Sequence, residues 1–146
     1  MGITDTVRKF FQAINDNDPD TAAAQVTDDA KFTELPTGRT FQGPDGVRDN
    51  FAFWLGAFPD GKVEVISIIE GGDKVVVEYK GRGTNTGPMM TEQGELPATG
   101  KSVTLEFCDV LEIKGDKIAG GRSYYDSGSM MRQLGLMPET AGAATR

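Results

Sequence analysis

Apolar side chains recur at helical spacing in the N-terminal part of the chain. The first stretch follows the i, i+4, i+7, i+8, i+11 stripe of a helix that packs on one side: Ile3, Val7, Phe10, Phe11 and Ile14. An Asn-Asp-Pro-Asp sequence then supplies a cap and a first-turn proline, which predicts a short helix over residues 19–26. Residues 47–58 follow the same helical period and end at Pro59. Two or three amphipathic helices are therefore expected.

A period of two replaces the helical period where strands are expected. Residues 29–35 alternate, with Ala30 and Phe32 inward and Glu34 at the next such position. From residue 62 onward, alternation between glycine-containing turns predicts further strands over residues 63–69, 74–82, 101–114 and 117–125. Between them, residues 83–100 are rich in glycine and are predicted to form a loop too long for a hairpin turn.

These elements predict an α+β fold. N-terminal helices are expected to pack in a strongly curved, mixed or antiparallel β-sheet, which gives a cone-like half-barrel with an internal pocket. A chain of 146 residues has room for one domain, assigned here to residues 1–138. Residues 139–146 are small and polar and are expected to fray.

Charge narrows the range of partners. Fifteen Lys and Arg against 22 Asp and Glu give a net charge of −7, which repels phosphate backbones and anionic lipid. The sequence therefore predicts neither nucleic-acid nor membrane binding. The amphipathic start differs from the uniformly apolar segment of a signal peptide, so a cytoplasmic location is expected.

The absence of histidine and the presence of a single cysteine limit the catalytic chemistry that the chain can perform. The chain has no histidine, which excludes Ser-His-Asp and Cys-His catalysis and histidine-bound zinc. Its one cysteine, Cys108, excludes an internal disulfide. We expect no metal and no cofactor, and any acid or base must be Asp, Glu, Tyr or Lys.

The end of the strand over residues 117–125 holds the candidate catalytic residues. Strict alternation puts Arg122, Tyr124 and Asp126 on one face. If that face looks into the fold, Asp126 is a partly desolvated carboxylate suited to abstract a proton, and Asn85, Tyr124 and Arg122 are donors for an enolate oxygen. A purely structural interpretation stays open, in which Arg122 pairs with Asp126 or Asp109 and Tyr124 belongs to the core.

A candidate substrate pocket is expected to have aromatic walls. Its proposed lining combines rings, a flexible thioether and an acid, namely Trp54, Phe51, Phe58, Phe32, Met89 and Asp109. Asp109 interrupts the apolar alternation of residues 103–113, so it faces inward and needs a partner, for which Arg122 is the candidate. Aromatic residues at this spacing more often belong to a plain core than to a ligand pocket.

Short motifs in a fixed order carry a family resemblance that spans nearly the whole chain. They are NDNDP at 15–19, FQGPDG at 41–46, FPD at 58–60, GTNTG at 83–87, PATGK at 97–101, and YD at 125–126 followed by RQLGL at 132–136. In this order they resemble the SnoaL-like polyketide cyclases. That family shares its cone-shaped fold with nuclear transport factor two, ketosteroid isomerase and limonene epoxide hydrolase.

The resemblance implies cofactor-independent acid–base chemistry on an apolar, polyketide-like carbonyl compound, either aldol-type cyclisation or isomerisation, with Asp126 as the base. Asn85 stands where the family commonly has histidine. One alternative is epoxide-hydrolase-like activation of water by Asp126, Asp109 and Arg122. Another is a non-catalytic ligand-binding module. The second face of the sheet, with Val76, Val110 and Tyr125, is apolar enough to suggest a homodimer.

Overall fold

The computed structural model describes residues 2–91 and 94–137. Within them the helices are α1 (Ile3–Asn15), α2 (Pro19–Ala23), α3 (Gly43–Ala57) and α4 (Ser127–Gln133). The strands are β1 (Val26–Glu34), β2 (Arg39–Gln42), β3 (Lys62–Gly71), β4 (Lys74–Thr84), β5 (Met89–Thr91), β6 (Gly94–Leu96), β7 (Ser102–Lys114) and β8 (Lys117–Tyr125). The tail at 139–146, predicted to fray, lies outside the described residues.

Six strands form one open, mixed sheet in the order β2-β1-β8-β7-β4-β3. The β1–β8 pair is parallel and the other neighbours are antiparallel. Helices α1 and α3 pack against one face of this sheet. Their apolar stripes, with Val7 and Phe11 on α1 and Val47 and Phe51 on α3, meet inner side chains of the sheet such as Val77. The predicted α+β half-barrel is confirmed. None of the helices in the described residues is long and apolar enough to cross a membrane.

Several element boundaries differ from the predicted ones. Helix α2 ends at Ala23, because Val26 already belongs to β1. Helix α3 begins at Gly43 rather than after the Gly-Pro-Asp-Gly sequence, since its proline lies in the first turn, where no backbone N–H is needed. The predicted long loop over residues 83–100 contains the small β5–β6 hairpin.

A β-bulge in β8 reverses the predicted alternation of that strand. Ile113 pairs with Ile118 and Glu112 pairs with Gly120, so that Ala119 is an extra residue. An inserted residue moves every later side chain to the other face. As a result, Ser123 and Tyr125 face the helices, whereas Arg122 and Tyr124 face outward.

Candidate active site

A cavity with predominantly apolar walls lies between the sheet and the helices α1 and α3. The cavity has a volume of about 170 Å³. Nine aromatic rings contribute to its walls, from Phe10, Phe11, Phe32, Phe41, Phe51, Trp54, Phe58, Tyr79 and Phe107. Walls of this kind fit a flat, apolar ligand that is oriented by a few polar groups.

Asp109 is a carboxylate in the wall of this cavity. It stands on β7 between the inward-facing Phe107 and Leu111, opposite Val77 on β4 and Ser123 on β8. Burial raises the pKa of Asp109 to about 7, the hydroxyls of Ser123 and Tyr79 lower it, and the negative charge of Glu34 raises it. A carboxyl group that titrates near neutrality is suited to take and return a proton.

Tyr79 holds this carboxylate in place. Its hydroxyl oxygen lies 3.2 and 3.1 Å from the two carboxylate oxygens of Asp109 and donates to them. The ring is stacked on Phe107, with 4.9 Å between centroids, and packs against Phe11 at 4.7 Å. Burial raises the pKa of Tyr79 well above its ordinary value, and the charge of Asp109 adds to this. Tyr79 therefore stays protonated and acts as a donor.

A second carboxylate, Glu34, lies on the same wall and is only 4% exposed. Thr37 Oγ1 and Tyr125 Oη each donate to its Oε1 at 3.1 Å. Arg39 Nη2 donates to its Oε2 at 2.6 Å and Trp54 Nε1 donates to the same oxygen at 3.0 Å. These four donors fill the acceptor positions of the carboxylate, so Glu34 has none left for a ligand.

The predicted pocket residues divide between the cavity and the core beside it. Phe32, Phe51, Trp54, Phe58 and Asp109 line the cavity. Met89 does not line it. Instead Met89 is buried in a separate apolar cluster with Ala57, Val103, Leu105, Met130 and Leu134.

The expectation that Asp126 projects into the pocket is wrong. Its side chain is 70% exposed and lies 3.7 Å from Arg132. Its Oδ1 accepts a hydrogen bond from the backbone N–H of Ser129 at 3.1 Å, as the N-cap of α4. An exposed capping carboxylate is solvated, and it lies on no wall of the cavity.

The three donors predicted around Asp126 are also placed elsewhere. The bulge turns Arg122 and Tyr124 to the outer face, where Arg122 Nε donates to Tyr124 Oη at 3.2 Å and Tyr124 is 43% exposed. The predicted pairing of Arg122 with Asp109 is therefore absent, and Tyr79 partners Asp109 instead. Arg122 forms part of the cavity wall, but the alternation of β8 directs its side chain to the outer face of the sheet.

Asn85 has a structural role. It is 2% exposed, and its Nδ2 donates to the carbonyl oxygens of Ala57 and Gly87 at 3.0 and 2.9 Å. Its Oδ1 accepts from the backbone N–H and the hydroxyl of Thr99, both at 2.9 Å. These bonds tie the end of α3 to the segment after β4, so the amide is used up within the fold.

Sequence reasoning missed the roles of Tyr79, Ser123 and Glu34, although signals for two of them were present. Tyr79 follows Val75 and Val77 at the inward positions of β4, and Glu34 follows Ala30 and Phe32 on β1. Ser123 had no such signal, because the bulge decides its face. Among residues 2–91 and 94–137, no three metal-ligating side chains come together as a candidate metal site.

An open α+β cone that encloses an aromatic cavity, with a buried carboxylate facing the ligand space, defines a small-molecule-binding protein of the cone-fold class. The comparison with known families agrees with this class. The family profile "SnoaL-like polyketide cyclase" matches residues 4–134. The chain belongs to the SnoaL-like polyketide cyclases.

Solved structures with the same fold include a protein from Jannaschia sp. CCS1 described as a SnoaL-like polyketide cyclase, with 19% identity, coverage of 93% of both chains and a TM-score of 0.79. IdmH from Streptomyces antibioticus, proposed to be a polyketide cyclase, is 22% identical over 92% of this chain and 99% of its own, with a TM-score of 0.75.

A protein with a ketosteroid isomerase-like fold from Catenulispora acidiphila DSM 44928, solved in complex with trimethylamine, is 18% identical over 90% of this chain and 93% of its own, with a TM-score of 0.76. At these identities the similarity establishes the fold. No curated protein matches the chain.

Proposed function

We propose that the protein is an enzyme that uses Asp109 as a general base on a flat, apolar carbonyl compound. The observation that carries the proposal is the position of the Asp109 carboxylate, held by Tyr79 in an aromatic cavity with a pKa of about 7. Membership of a family of polyketide cyclases supports a cyclase or isomerase reaction. The base is thus Asp109 in place of the expected Asp126.

The proposed reaction starts with the removal of a proton from the carbon next to the substrate carbonyl. Asp109 takes the proton, and the C–H bonding electrons move into the carbonyl to give an enolate. The neutral carboxyl group then accepts more weakly from Tyr79, so that the Tyr79 hydroxyl is released to donate to the enolate oxygen. Attack of the enolate carbon on a second carbonyl of the same molecule forms the new C–C bond, and Asp109 returns its proton to the resulting alkoxide. Return of the proton to a different carbon would instead give an isomerisation.

The epoxide-hydrolase alternative loses its support at the site. That alternative needs Asp126 and Arg122 beside Asp109, and both side chains point away from the cavity. A non-catalytic binding module keeps the same cavity, and only turnover separates it from the enzyme. The experiment must therefore measure proton transfer directly.

The test is α-hydrogen exchange of 2-tetralone, a two-ring ketone, followed in D2O by proton NMR. Wild type should accelerate the exchange, and Asp109→Asn should lose about 10²–10⁴-fold of that acceleration. Asp126→Asn is the matched control, with the same chemical change at an exposed carboxylate, and should exchange within about twofold of wild type. Equal rates in wild type and Asp109→Asn would exclude the base role and favour the binding module.

We also propose that the outer face of the sheet pairs with a second copy of the chain. Ile69 and Tyr124 are 55% and 43% exposed on this face of the sheet. Basic residues on β4 lie beside acidic residues on β7, with Lys80 opposite Glu106 and Lys74 opposite Glu112. A two-fold axis that lays β4 of one copy over β7 of the other would bring these opposite charges together.

The expected place of Tyr125 on that face is wrong, since Tyr125 faces Glu34. Native mass spectrometry at micromolar concentration tests the dimer, and a monomer would contradict it. The cytoplasmic location and the exclusion of nucleic acid and membranes stay predictions.

A further inference from the structure

The buried carboxylate of Glu34 has no part in the proton transfer proposed above. Its position in the sheet nevertheless relates it to Asp109. Glu34 on β1 is the register partner of Ser123 on β8, and Ser123 is the register partner of Asp109 on β7. The three side chains form a row across three adjacent strands, on the face that encloses the cavity.

Glu34 cannot serve as a second ligand-binding acid, because its four acceptor positions are occupied by Thr37, Tyr125, Arg39 and Trp54. Two of these donors are aromatic residues of the cavity region. Trp54 comes from α3 and Tyr125 from β8, and their rings meet edge to face with 5.8 Å between centroids. One buried carboxylate therefore joins a helix and a strand at the aromatic wall.

Arg39 completes the arrangement from the side away from the cavity. Its guanidinium lies 4.1 Å from the ring centroid of Phe53 and also donates to Oδ1 of Asn50. Its Nε is buried without a hydrogen-bond partner in the described residues. Burying a hydrogen-bond donor without a partner costs free energy. In Arg39 this donor belongs to a guanidinium that Glu34, Asn50 and Phe53 hold in place.

We infer that Glu34 is a positioning residue for the proposed active site: it fixes Trp54 in the wall of the cavity with Tyr125 packed against it, and its charge acts on Asp109 across Ser123. This inference rests on the proposed role of Asp109. Two strand spacings separate the backbones of the two acids by about 10 Å, and a charge at that range still acts through a water-poor interior.

Other polar groups also lie around Asp109 and Glu34. They are Tyr79 from β4 and Ser123 from β8, while Tyr125 and Arg39 act next to Glu34. Helices α1 and α3 present apolar side chains and the neutral amide of Asn50 to the cavity. Lys62 and Arg82 also contribute to the cavity wall. Their neighbours Val63 and Gly81 occupy the inward positions of β3 and β4, so the side chains of Lys62 and Arg82 alternate to the other face. The negative charge of Glu34 also contributes to the raised pKa of Asp109, as this geometry leads one to expect.

Two substitutions at Glu34 separate its two effects. Glu34→Gln removes the charge and keeps the length of the side chain, whereas Glu34→Asp keeps the charge and shortens the reach by one methylene. Glu106→Gln and Glu106→Asp are the matched controls. Glu106 lies on β7, exposed, three residues from Asp109, so its backbone is also about 10 Å away.

The first measurement is the titration of the Asp109 carboxyl carbon by NMR on protein labelled with ¹³C-aspartate, with Asp109→Asn to assign the signal. Glu34→Gln should lower the titration midpoint by on the order of one pH unit. Glu34→Asp and both Glu106 variants should leave it in place. A Glu34→Gln midpoint that moves no further than that of Glu106→Gln would overturn the inference.

The second measurement is acrylamide quenching of Trp54, the sole tryptophan of the chain. Glu34→Asp should increase the quenching and move the emission to longer wavelength, since the indole N–H loses its acceptor, and Glu106→Asp should do neither. If Glu34→Gln does not fold, Glu34→Asp still decides, because unchanged quenching there would overturn the positioning role. Neither measurement needs turnover, so both can succeed even where the proposed enzyme activity fails.

Discussion

The hydroxyl of Tyr79 lies 3.1 and 3.2 Å from the two carboxylate oxygens of Asp109. This contact orients the carboxylate in a cavity whose remaining walls are mostly apolar. It also opposes the effect of burial, because a hydrogen bond to the charged form lowers the pKa of Asp109 while desolvation raises it. The pair therefore sets both the direction and the proton affinity of the proposed base.

Removing the hydroxyl should move the pH dependence of the reaction. Tyr79→Phe deletes a bond that favours the ionised form, so the pKa of Asp109 should rise, on the order of one pH unit. Base catalysis needs the ionised form, and the acid limb of the tetralone exchange profile should shift to higher pH by the same amount. Tyr124→Phe, an exposed tyrosine, is the control and should not shift the limb. A shift to lower pH would contradict the arrangement described here.

The stability of the fold should depend on pH through Asp109. Its folded-state pKa of about 7 lies above the ordinary 3.8, so the folded chain holds this proton more tightly than the unfolded chain. The stabilisation is complete below pH 3.8 and is lost as the pH rises towards 7. Asp109→Asn removes this dependence. Relative to wild type, it should gain on the order of 2–4 kcal/mol of unfolding free energy between pH 4 and pH 8.

Urea denaturation of both proteins at pH 4 and pH 8 measures this difference. Asp126→Asn makes the same change at the exposed N-cap of α4, where asparagine also caps well, and should show almost no pH-dependent gain. An Asp109→Asn difference that is the same at both pH values would mean that the carboxylate is ionised throughout.

Asn85 should matter for stability and not for proton transfer. Asn85→Ala leaves two backbone carbonyls without the amide donor and Thr99 without its acceptor in a buried place. We expect a loss of about 3 kcal/mol or more in unfolding free energy by urea denaturation. The exchange rate per folded molecule should stay near that of wild type. A normal unfolding free energy with lost exchange would instead return Asn85 to the site.

The fold followed from the sequence because local periodicity and turn residues agree with the global arrangement. The stripe of α1 and the alternation of β3, β4 and β7 are each set by which side chains are buried, and burial dominates the energetics. The inward position of Asp109 was predicted for the same reason. Its partner was not, since contacts between β4 and β7 depend on register, which a single strand pattern does not contain.

The residue pattern could not predict which face the side chains of β8 after residue 119 would occupy. Periodicity assumes an uninterrupted pleat, and the sequence Ile-Ala-Gly-Gly-Arg continues smoothly through the bulge. The two glycines are in retrospect the signal, because glycine inside a strand marks a bulge or a close backbone approach. With the bulge missed, Asp126, Arg122 and Tyr124 were assigned to the wrong side of the sheet.

The assignment of the site therefore depends on the bulge in β8, and a substitution at Gly120 tests whether the bulge is present. A Cβ added at Gly120 would lie 2.9 Å from the carbonyl oxygen of Lys31 on the neighbouring strand, closer than such atoms approach. Gly120→Ala should lower the unfolding free energy by about 2 kcal/mol or more, measured with urea. Gly56→Ala is the control, in α3 where nothing lies within 4 Å of the added atom, and should be neutral or slightly stabilising. If Gly120→Ala were as stable as wild type, the close approach of β1 and β8 at the bulge would be wrong, and the inward position of Ser123 and Tyr125 would lose its basis.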